Sequence, residues 1–378
     1  VEVIETDDMV NINTGVLQCA IPRQGSRIIT SLKIDNREVS SGGELLCILQ
    51  NGPEKDFGAQ PEREKLTGSI EKVIVEQAGP VRSVVKIEGT HLSESGTRDF
   101  LPFIVRFYFY AGQPSVKMVH TIIYDGDQHT DFIRGLGVVF DVPLDEEIYN
   151  RHIRFSGENG GLWVEPVQAL TGRRTLSREV DYYAKQINGE EIPQKESFSD
   201  RQKFLVDNWA SWNDFKLYQG NSNAFRIQKR TNDQSAWINA GAGGRSSGLV
   251  FAGDVSGGLA VCIRDFWQSF PSALEVRDAR TGTANIYAWL WSPEGPAMDM
   301  RHYDTLAWGH SLEARYEDVQ PGFSTPLGVG RTSEILLFVS SEVPSAKTLD
   351  GFSQQANKPA LLAALPEYLH DIPVFGVW

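Results

Sequence analysis

The sequence predicts an all-β protein: a large antiparallel two-sheet super-sandwich with a short helical C-terminal extension. Short runs of alternating apolar and polar residues recur through residues 1–343, separated by Gly- and Pro-containing turns. No amphipathic helical repeat occurs before about residue 343, and no fixed-period repeat indicates a propeller. At typical strand lengths this region holds roughly 18–22 strands. So many strands favour two broad stacked sheets over a small barrel.

The predicted strands follow one another along the chain. Residues 1–50 contain three short runs, and residues 51–66 are interpreted as a charged loop. Two hairpins follow, SIEKVIVEQ with VRSVVKIEG and FIVRFYFYA with VKMVHTIIYD, whose alternation predicts antiparallel pairing. Further strands are predicted in IRGLGVVFDVP, FRIQKRT, GLVFAGDVSGGLAVCIRD, ALEVRDA, NIYAWLWS, HSLEARYED and TSEILLFVS.

Two segments depart from the strand pattern. Residues 144–204 are long and polar, which predicts an insertion that acts as a lid or rim loop. The segment ALLAALPEYL near the end of the chain is a good helix former. The predicted domains are therefore a β-sandwich over residues 1–343 and a helical extension over residues 344–378.

Charge and composition restrict the possible partners. The 378 residues carry a formal net charge of -13, and nucleic-acid binding needs clustered Lys and Arg, so no nucleic-acid partner is expected. The same charge repels a polyanion at long range, so an acidic substrate requires a local cationic pocket. No apolar run approaches the ~20 residues of a membrane-spanning helix, and the first residues do not form a signal peptide. No membrane partner is expected.

The three cysteines are predicted to be buried free thiols. Cys19, Cys47 and Cys262 each lie in an apolar, strand-like run, where a free cysteine behaves as a small hydrophobic residue. No spacing of Cys and His suggests a zinc site.

The strongest candidate for chemistry is the loop that follows the strand NIYAWLWS. Arg301, His302, Tyr303 and Asp304 are adjacent there. His titrates near neutral pH, Tyr can act as acid or base, and Arg can bind a carboxylate through two hydrogen bonds. A loop in which His and Asp cap a turn is the equally weighted alternative.

Several aromatic and basic residues are candidates for substrate binding. Tyr287, Trp289 and Trp291 alternate on one strand face and could stack on sugar rings, or could pack against the second sheet. The same two readings apply to Trp209, Trp212 and Lys216, and Trp267 next to Arg264 is a further candidate for substrate binding. The candidate carboxylate clamps are Arg264 and Arg331, with Arg134 as a weaker one. A structural ion pair is the alternative for these arginines.

The sequence predicts no cofactor. Asp125, Asp127 and Asp131 resemble the opening of a calcium loop, but Thr130 replaces the expected Gly and no Glu closes the loop. A hairpin connection is the preferred interpretation, with calcium as the alternative. GAGGRSSG lacks the Lys-Ser/Thr pair of a phosphate-binding loop.

Four segments together carry a family resemblance. NTGVLQCAIPRQGSRIITSLKIDNREV, RDFWQSFPSALEV, WLWSPEGPAMDMRHYDT and GVGRTSEILLF resemble the central β-sandwich of the exo-rhamnogalacturonan lyase family. The resemblance covers most of residues 10–340. It implies a following α/α toroid, of which residues 344–378 look like the beginning. It also implies a polysaccharide lyase that acts on rhamnogalacturonan, outside the cytoplasm in an extracellular or periplasmic location.

The implied reaction is β-elimination at a galacturonate. A cation must neutralise the C6 carboxylate, a base must remove the C5 proton and an acid must protonate the departing O4. From side-chain chemistry, Arg301 or Arg264 is assigned the first role, His302 the second and Tyr303 the third.

Two other classes of function remain open. One is a non-catalytic carbohydrate-binding or scaffold domain of a larger polysaccharide-degrading enzyme. The other is a hydrolase, in which two carboxylates flank the scissile bond. Glu294, Asp299 and Asp304 lie in the right loop for that role.

Overall fold

The protein is almost entirely built from antiparallel strands. The computed structural model describes residues 1–172, 176–303, 325–360 and 363–372 and residue 376, without the side chain of His302. The predicted strand HSLEARYED and Asp304 lie outside these residues. No helix in the described part is long and apolar enough to cross a membrane.

The strands of the first half are β1 (Glu2–Glu5), β2 (Met9–Asn13), β3 (Leu17–Pro22), β4 (Arg27–Ile29), β5 (Ser31–Ile34), β6 (Arg37–Ser40), β7 (Gly42–Gln50), β8 (Arg63–Ala78), β9 (Arg82–Ser93), β10 (Asp99–Tyr110), β11 (Ser115–Ile123), β12 (Phe132–Pro143), β13 (Arg151–Ser156) and β14 (Leu162–Pro166). The helices α1 (Tyr182–Asn188) and α2 (Asp200–Asn208) follow. The remaining strands are β15 (Asp214–Asn221), β16 (Ala224–Arg230), β17 (Ile238–Gly243), β18 (Leu249–Asp254), β19 (Gly257–Ile263), β20 (Ser272–Arg277), β21 (Thr283–Trp291) and β22 (Gly330–Ser340). The helices α3 (Ala346–Asn357) and α4 (Pro366–Asp371) come last, and short 3-10 turns cover Ile148–Asn150, Lys195–Ser197 and Met300–Tyr303.

The large sheet is one antiparallel ladder folded into two layers. In the front layer, strand pairing runs β17–β16–β15–β20–β21–β12–β7–β8. The long hairpin from β8 to β9 leads into the back layer, which runs β9–β10–β11–β22–β19–β18–β13–β14. This arrangement confirms the predicted antiparallel super-sandwich.

The core lies between the two layers because the strands alternate inward and outward side chains. Phe140 of β12, Ile286 of β21, Val261 of β19 and Leu337 of β22 are all completely buried in it. A separate five-stranded sheet, ordered β1–β2–β3–β5–β6, contributes further residues to the same core. The three cysteines are buried and free, as predicted.

The prediction that residues 144–204 are a loop is wrong, and that they act as a lid or rim stays a prediction. This segment contains β13, β14, α1 and α2, and its own small core includes Tyr149, Ile192 and Leu205. The charged loop predicted over residues 51–66 is shorter than expected, because β8 begins at Arg63.

The helical tail packs on the sandwich at its first helix. Leu349 and Phe352 of α3 are buried against Phe251, Ala260 and Cys262 of β18 and β19. The division into two domains near residue 343 stays a prediction.

Candidate functional site

The outward face of the front layer carries a concentration of charged and aromatic side chains, which we call the polar face. Side chains alternate between the two faces of each strand, so the residues between the core residues lie on the outward face. Strand register aligns two neighbouring rows on it. The first row is Gln228–Lys216–Glu275–Tyr287–Val139, and the second is Arg226–Tyr218–Ala273–Trp289–Gly137.

Trp289 lies flat over the glycines of β12. A Cβ atom at Gly137 would come within 2.9 Å of Trp289 Cε3, and one at Gly135 within 3.3 Å of Trp289 Cζ3. The ring is 2% exposed and stacks on Tyr287, with 5.8 Å between ring centroids and 19° between planes. The alternative that Tyr287 and Trp289 pack against the second sheet is therefore wrong, because the core side of β21 carries Ile286 and Ala288.

Lys216 is the most unusual residue of the polar face, because its side chain is buried on a sheet surface. The residue is only 6% exposed, and Nζ lies 2.5 Å from Glu294 Oε2 and 4.3 Å from the centre of the Trp237 ring. Burial lowers the pKa of Lys216 to about 8, Glu275 opposes the shift, and the positive charges of Arg226 and neighbouring arginines add to it. A lysine in this range is partly neutral near physiological pH.

Arg226 completes the arrangement around Glu294. Its guanidinium binds Glu294 Oε1 and lies over the ring of Tyr218, 4.6 Å from the centroid. Burial raises the pKa of Tyr218, so this hydroxyl keeps its proton. Both oxygens of Glu294 are thus held by separate cations, each backed by an aromatic ring.

More cations border the same face, and each is paired. Arg230 binds Asp214 at 2.6 Å and lies over Trp237, and Arg277 binds Glu275 at 2.5 Å and lies over Tyr287. Both arginines line an open cleft of about 710 Å³. The polar face therefore groups four basic side chains, each beside a carboxylate and an aromatic ring: Lys216, Arg226, Arg230 and Arg277.

The predicted tryptophans lie next to cations rather than in one cluster. Trp212 packs partly against the main core, with Lys229 Nζ 4.2 Å above its ring. Trp267 lies under Arg245, 4.2 Å from the guanidinium carbon. The structure does not bring these two rings together with Lys216.

Three residues predicted for the site line one cavity at the end of the sandwich. Trp291, Tyr303 and Arg331 border a largely apolar space of about 430 Å³. Arg331 donates to the carbonyl oxygen of Leu290 at 3.1 Å, and burial lowers its pKa. Its guanidinium lies over the ring of Trp291, 5.5 Å from the centroid, and no carboxylate of the described residues forms an ion pair with it.

The two arginines assigned to the substrate carboxylate already have acidic partners. Arg301 binds Asp299 through Nη2 at 2.6 Å and through Nε at 3.0 Å. Arg264 binds Glu334 at 2.9 Å, which matches the ion-pair alternative for that residue. The side chain of His302 lies outside the described residues, so its assigned role stays a prediction.

The aspartates of the possible calcium loop bind protein donors. Asp131 pairs with Arg98 at 2.5 Å and accepts the backbone N–H of Asp127, while Asp125 accepts that of Leu101. Within the described ranges, no group of three or more acidic, Cys or His residues is placed to hold a metal. Of the two alternatives, a turn stabilised by its own carboxylates fits this geometry better.

Sequence reasoning missed Arg226, Trp237 and Tyr218 as site residues and assigned Glu294 only to a hydrolase. Part of the signal was present. DFKLYQGN and AFRIQKR flank a two-residue turn, Ser222 and Asn223, so a hairpin places Arg226 opposite Tyr218. Nothing in the spacing shows that Glu294, 78 residues from Lys216, folds back onto this hairpin.

Comparison with known sequences gives a family match and a curated relative. The model for the family described as the PcRGLX-like protein central beta sandwich domain matches residues 1–354. The uncharacterized protein YetA of Bacillus subtilis (strain 168) is 36% identical over 377 residues, covering 100% of this chain and 43% of YetA. The chain thus spans less than half the length of that relative.

Solved structures show only distant likeness. A TPR-domain containing protein from Parabacteroides distasonis has a TM-score of 0.43 and 8% identity, covering 95% of this chain and 50% of its own. An alpha-mannosidase from Enterococcus faecalis V583 has a TM-score of 0.41 and 11% identity, covering 92% of this chain and 31% of its own. A galactose mutarotase-like protein from Lactobacillus casei has a TM-score of 0.37 and 10% identity, covering 88% of this chain and 100% of its own. Likeness at this level says nothing about what this chain binds.

Proposed function

The chain belongs to the family of PcRGLX-like central beta sandwich domains, and from that premise we propose that it acts as a polysaccharide lyase on rhamnogalacturonan or a related pectin-type acidic polysaccharide. The proposed reaction is β-elimination at a uronic acid residue. The match to this family agrees with the lyase family that the sequence motifs resemble. The acidic nature of the ligand and the lyase reaction are supported by the chemistry of the polar face.

Lys216 is the observation that carries the proposal. A base for β-elimination has to be neutral before it accepts the C5 proton, and an ordinary lysine is protonated at neutral pH. Burial removes much of that obstacle at Lys216 by lowering its pKa to about 8. A buried lysine of lowered pKa among aromatic rings is a frequent feature of reactive sites.

The other two roles have candidates beside Lys216. Arg226 neutralises the C6 carboxylate, which makes the C5 proton more acidic, and the base that borders the carboxylate also reaches C5, since the two carbons are bonded. The ring of Tyr218 lies under Arg226 and its hydroxyl keeps its proton at neutral pH, so we assign Tyr218 the protonation of the departing oxygen. The rings of Tyr287 and Trp237, which are both partly exposed, supply apolar surface for sugar rings.

A second set of residues is proposed for the same reaction at the end of the sandwich. His302 is its base and Tyr303 its acid, as assigned from the sequence. Arg331 replaces Arg301 or Arg264 as the better carboxylate partner, because its guanidinium has no carboxylate among the described residues while those two are paired. Trp291 forms one wall of this cavity.

A non-catalytic carbohydrate-binding domain is the second candidate function. It is favoured by the fact that the chain spans only 43% of the length of YetA, so a homologous protein has room for catalytic residues elsewhere. Hydrolysis has less support, because Glu294 and Asp299 are both held in ion pairs with cations.

The test is the absorbance of the unsaturated uronate that elimination creates. The chain is incubated with rhamnogalacturonan, and Lys216→Met is compared with His302→Ala. Loss of the signal in Lys216→Met alone supports the polar face, and loss in His302→Ala alone supports the second set. Binding of the polymer without any absorbance from the unmodified chain would overturn the lyase proposal in favour of a binding domain.

The setting of the reaction belongs to the same proposal. We place the protein outside the cytoplasm, in an extracellular or periplasmic location, because a large polysaccharide is degraded where it occurs. None of the proposed steps needs a cofactor, and calcium at Asp125, Asp127 and Asp131 stays the alternative.

A further inference from the structure

Glu294 is bound on the polar face in the way that a ligand carboxylate would be. The loop after β21 turns back over the sheet and inserts this side chain between two cations from β15 and β16. Lys216 Nζ lies 2.5 Å from Oε2, and Arg226 binds Oε1. Two cations on two oxygens are an arrangement that binds any planar carboxylate strongly.

The loop does not need the Glu294 side chain to hold its position. The backbone N–H of Met298 donates to the carbonyl oxygen of Ile133 at 2.8 Å, and that of Ala297 donates to Glu54 Oε1 at 2.9 Å. Trp291 Nε1 donates to the carbonyl oxygen of Pro296 at 2.9 Å. With the backbone fixed in this way, the Glu294 side chain can leave its partners by rotamer changes alone.

The two sides of the ion pair differ in how they are buried. The Lys216 side chain is 7% exposed, whereas that of Glu294 is 27% exposed. A buried ammonium without a partner is costly, while a carboxylate at the surface can be solvated by water. The protonated form of Lys216, which predominates at pH 7 when the pKa is about 8, therefore requires an anion beside it, but the anion can be exchanged.

We propose that the space between Lys216 and Arg226 is a binding site for the carboxylate of a uronic acid, and that Glu294 occupies it as an internal competitor until the sugar displaces it. The inference rests on the proposed function, since it takes the ligand to be an acidic sugar. Trp237 beside Lys216 and Tyr218 beneath Arg226 flank the site with ring faces, which suit a sugar and are not needed for a simple anion.

An internal competitor weakens the apparent affinity in a predictable way. The measured Kd equals the intrinsic Kd divided by the fraction of molecules in which Glu294 has left the site. If that fraction is about one tenth, removal of the carboxylate tightens binding about tenfold. A neutral sugar does not compete with Glu294 for the two cations, so its affinity does not change.

The experiment is calorimetric titration of the chain with D-galacturonate, D-galactose and acetate. Glu294→Ala and Glu294→Gln are the test variants, and melting curves verify that both fold. Glu165→Gln is the matched control, because Glu165 of β14 pairs with Lys229 of β16 and its loss changes the net charge by the same amount. We expect about tenfold tighter galacturonate binding for Glu294→Ala, a smaller gain for Glu294→Gln, and no change for galactose or for the control.

Three results would overturn the proposal: unchanged or weaker galacturonate binding in both Glu294 variants, an equal gain in Glu165→Gln, or an equal gain for galactose. A gain for acetate as large as that for galacturonate would show an anion site that does not recognise sugars. The lyase proposal is tested separately. Tighter galacturonate binding without unsaturated product would refute the lyase and keep the carboxylate site. Unsaturated product without tighter binding would support the lyase and refute the carboxylate site.

Discussion

Replacement of Lys216 by methionine tests the proposed base directly, and the expected loss of reaction rate can be worked out from the surroundings of the lysine. Burial takes the pKa from the ordinary value of 10.5 to about 8. At pH 7 the neutral fraction is then roughly one tenth, about 300-fold more than for an unshifted lysine. Loss of a positioned base typically lowers the rate about 10²–10⁴-fold. We expect Lys216→Met to lose activity within that range.

The pH dependence follows from the same shift. A base is active when it has lost its proton, so the rate should rise as pH increases toward about 8 and level off above it. The assay is the initial rate of absorbance increase on rhamnogalacturonan between pH 6 and 9, with a melting curve for each variant. A flat profile across pH 8, or normal turnover in Lys216→Met, would refute the reasoning.

Three other predictions concern parts of the structure with independent readouts. Gly137→Ala places a Cβ 2.7 Å from the Ala288 carbonyl oxygen and 2.9 Å from Trp289, so it should lower the free energy of unfolding by about 1–3 kcal/mol, whereas Gly282→Ala, which meets open space, should not; equal denaturation midpoints for the two variants would contradict this. Arg331→Met removes a largely buried charge that has no carboxylate partner among the described residues, so its melting temperature should stay the same or rise; a fall of more than about 4 °C would contradict it. Acid should destabilise the fold at a pH well above that at which carboxylates titrate. Burial lowers the pKa of His91 to about 4 and the pKa values of His120 and His152 to about 3. The same histidines in the unfolded chain take up protons below about pH 6.5, so the free energy of unfolding falls by about 1.4 kcal/mol per pH unit for each. Unfolding in denaturant at pH 7, 6 and 5 measures that loss, and equal stability at the three values would contradict it.

The sandwich could be predicted from the sequence because its signal is local. Alternation in FIVRFYFYA directly reflects β10, in which Phe107 and Phe109 are buried and Arg106 and Tyr108 lie on the other face. Each strand carries its own period of two, and antiparallel neighbours need only short turns. The sequence could not show how one continuous ladder divides into two layers.

The helices of the insertion were missed although one left a signal. The hydroxyl of Ser199 accepts the N–H of Gln202, and the side chain of Gln202 accepts the N–H of Ser199, which together form a capping box. The helices are only 7 and 9 residues long and have no repeated apolar face, so periodicity did not reveal them.

The candidate site shows more clearly what could not be predicted from the sequence. Lys216 was selected for its place beside two tryptophans, yet its partners are Trp237 from the connection between β16 and β17 and Glu294 from a distant loop. Lys216 and Arg226 meet through hairpin register, which a sequence can suggest. The return of Glu294 onto them depends on tertiary contacts of its loop, for which the sequence carries no short-range signal.

The nature of the product tests the central claim most directly. The chain is incubated with rhamnogalacturonan, and new reducing ends and conjugated double bonds are counted in the same sample. β-Elimination creates one double bond for each bond that it breaks, so we predict equal numbers, with both signals reduced together in Lys216→Met. Reducing ends without double bonds would show a hydrolase, and a polymer that is bound but left intact would show a binding domain; either result would contradict the proposed lyase.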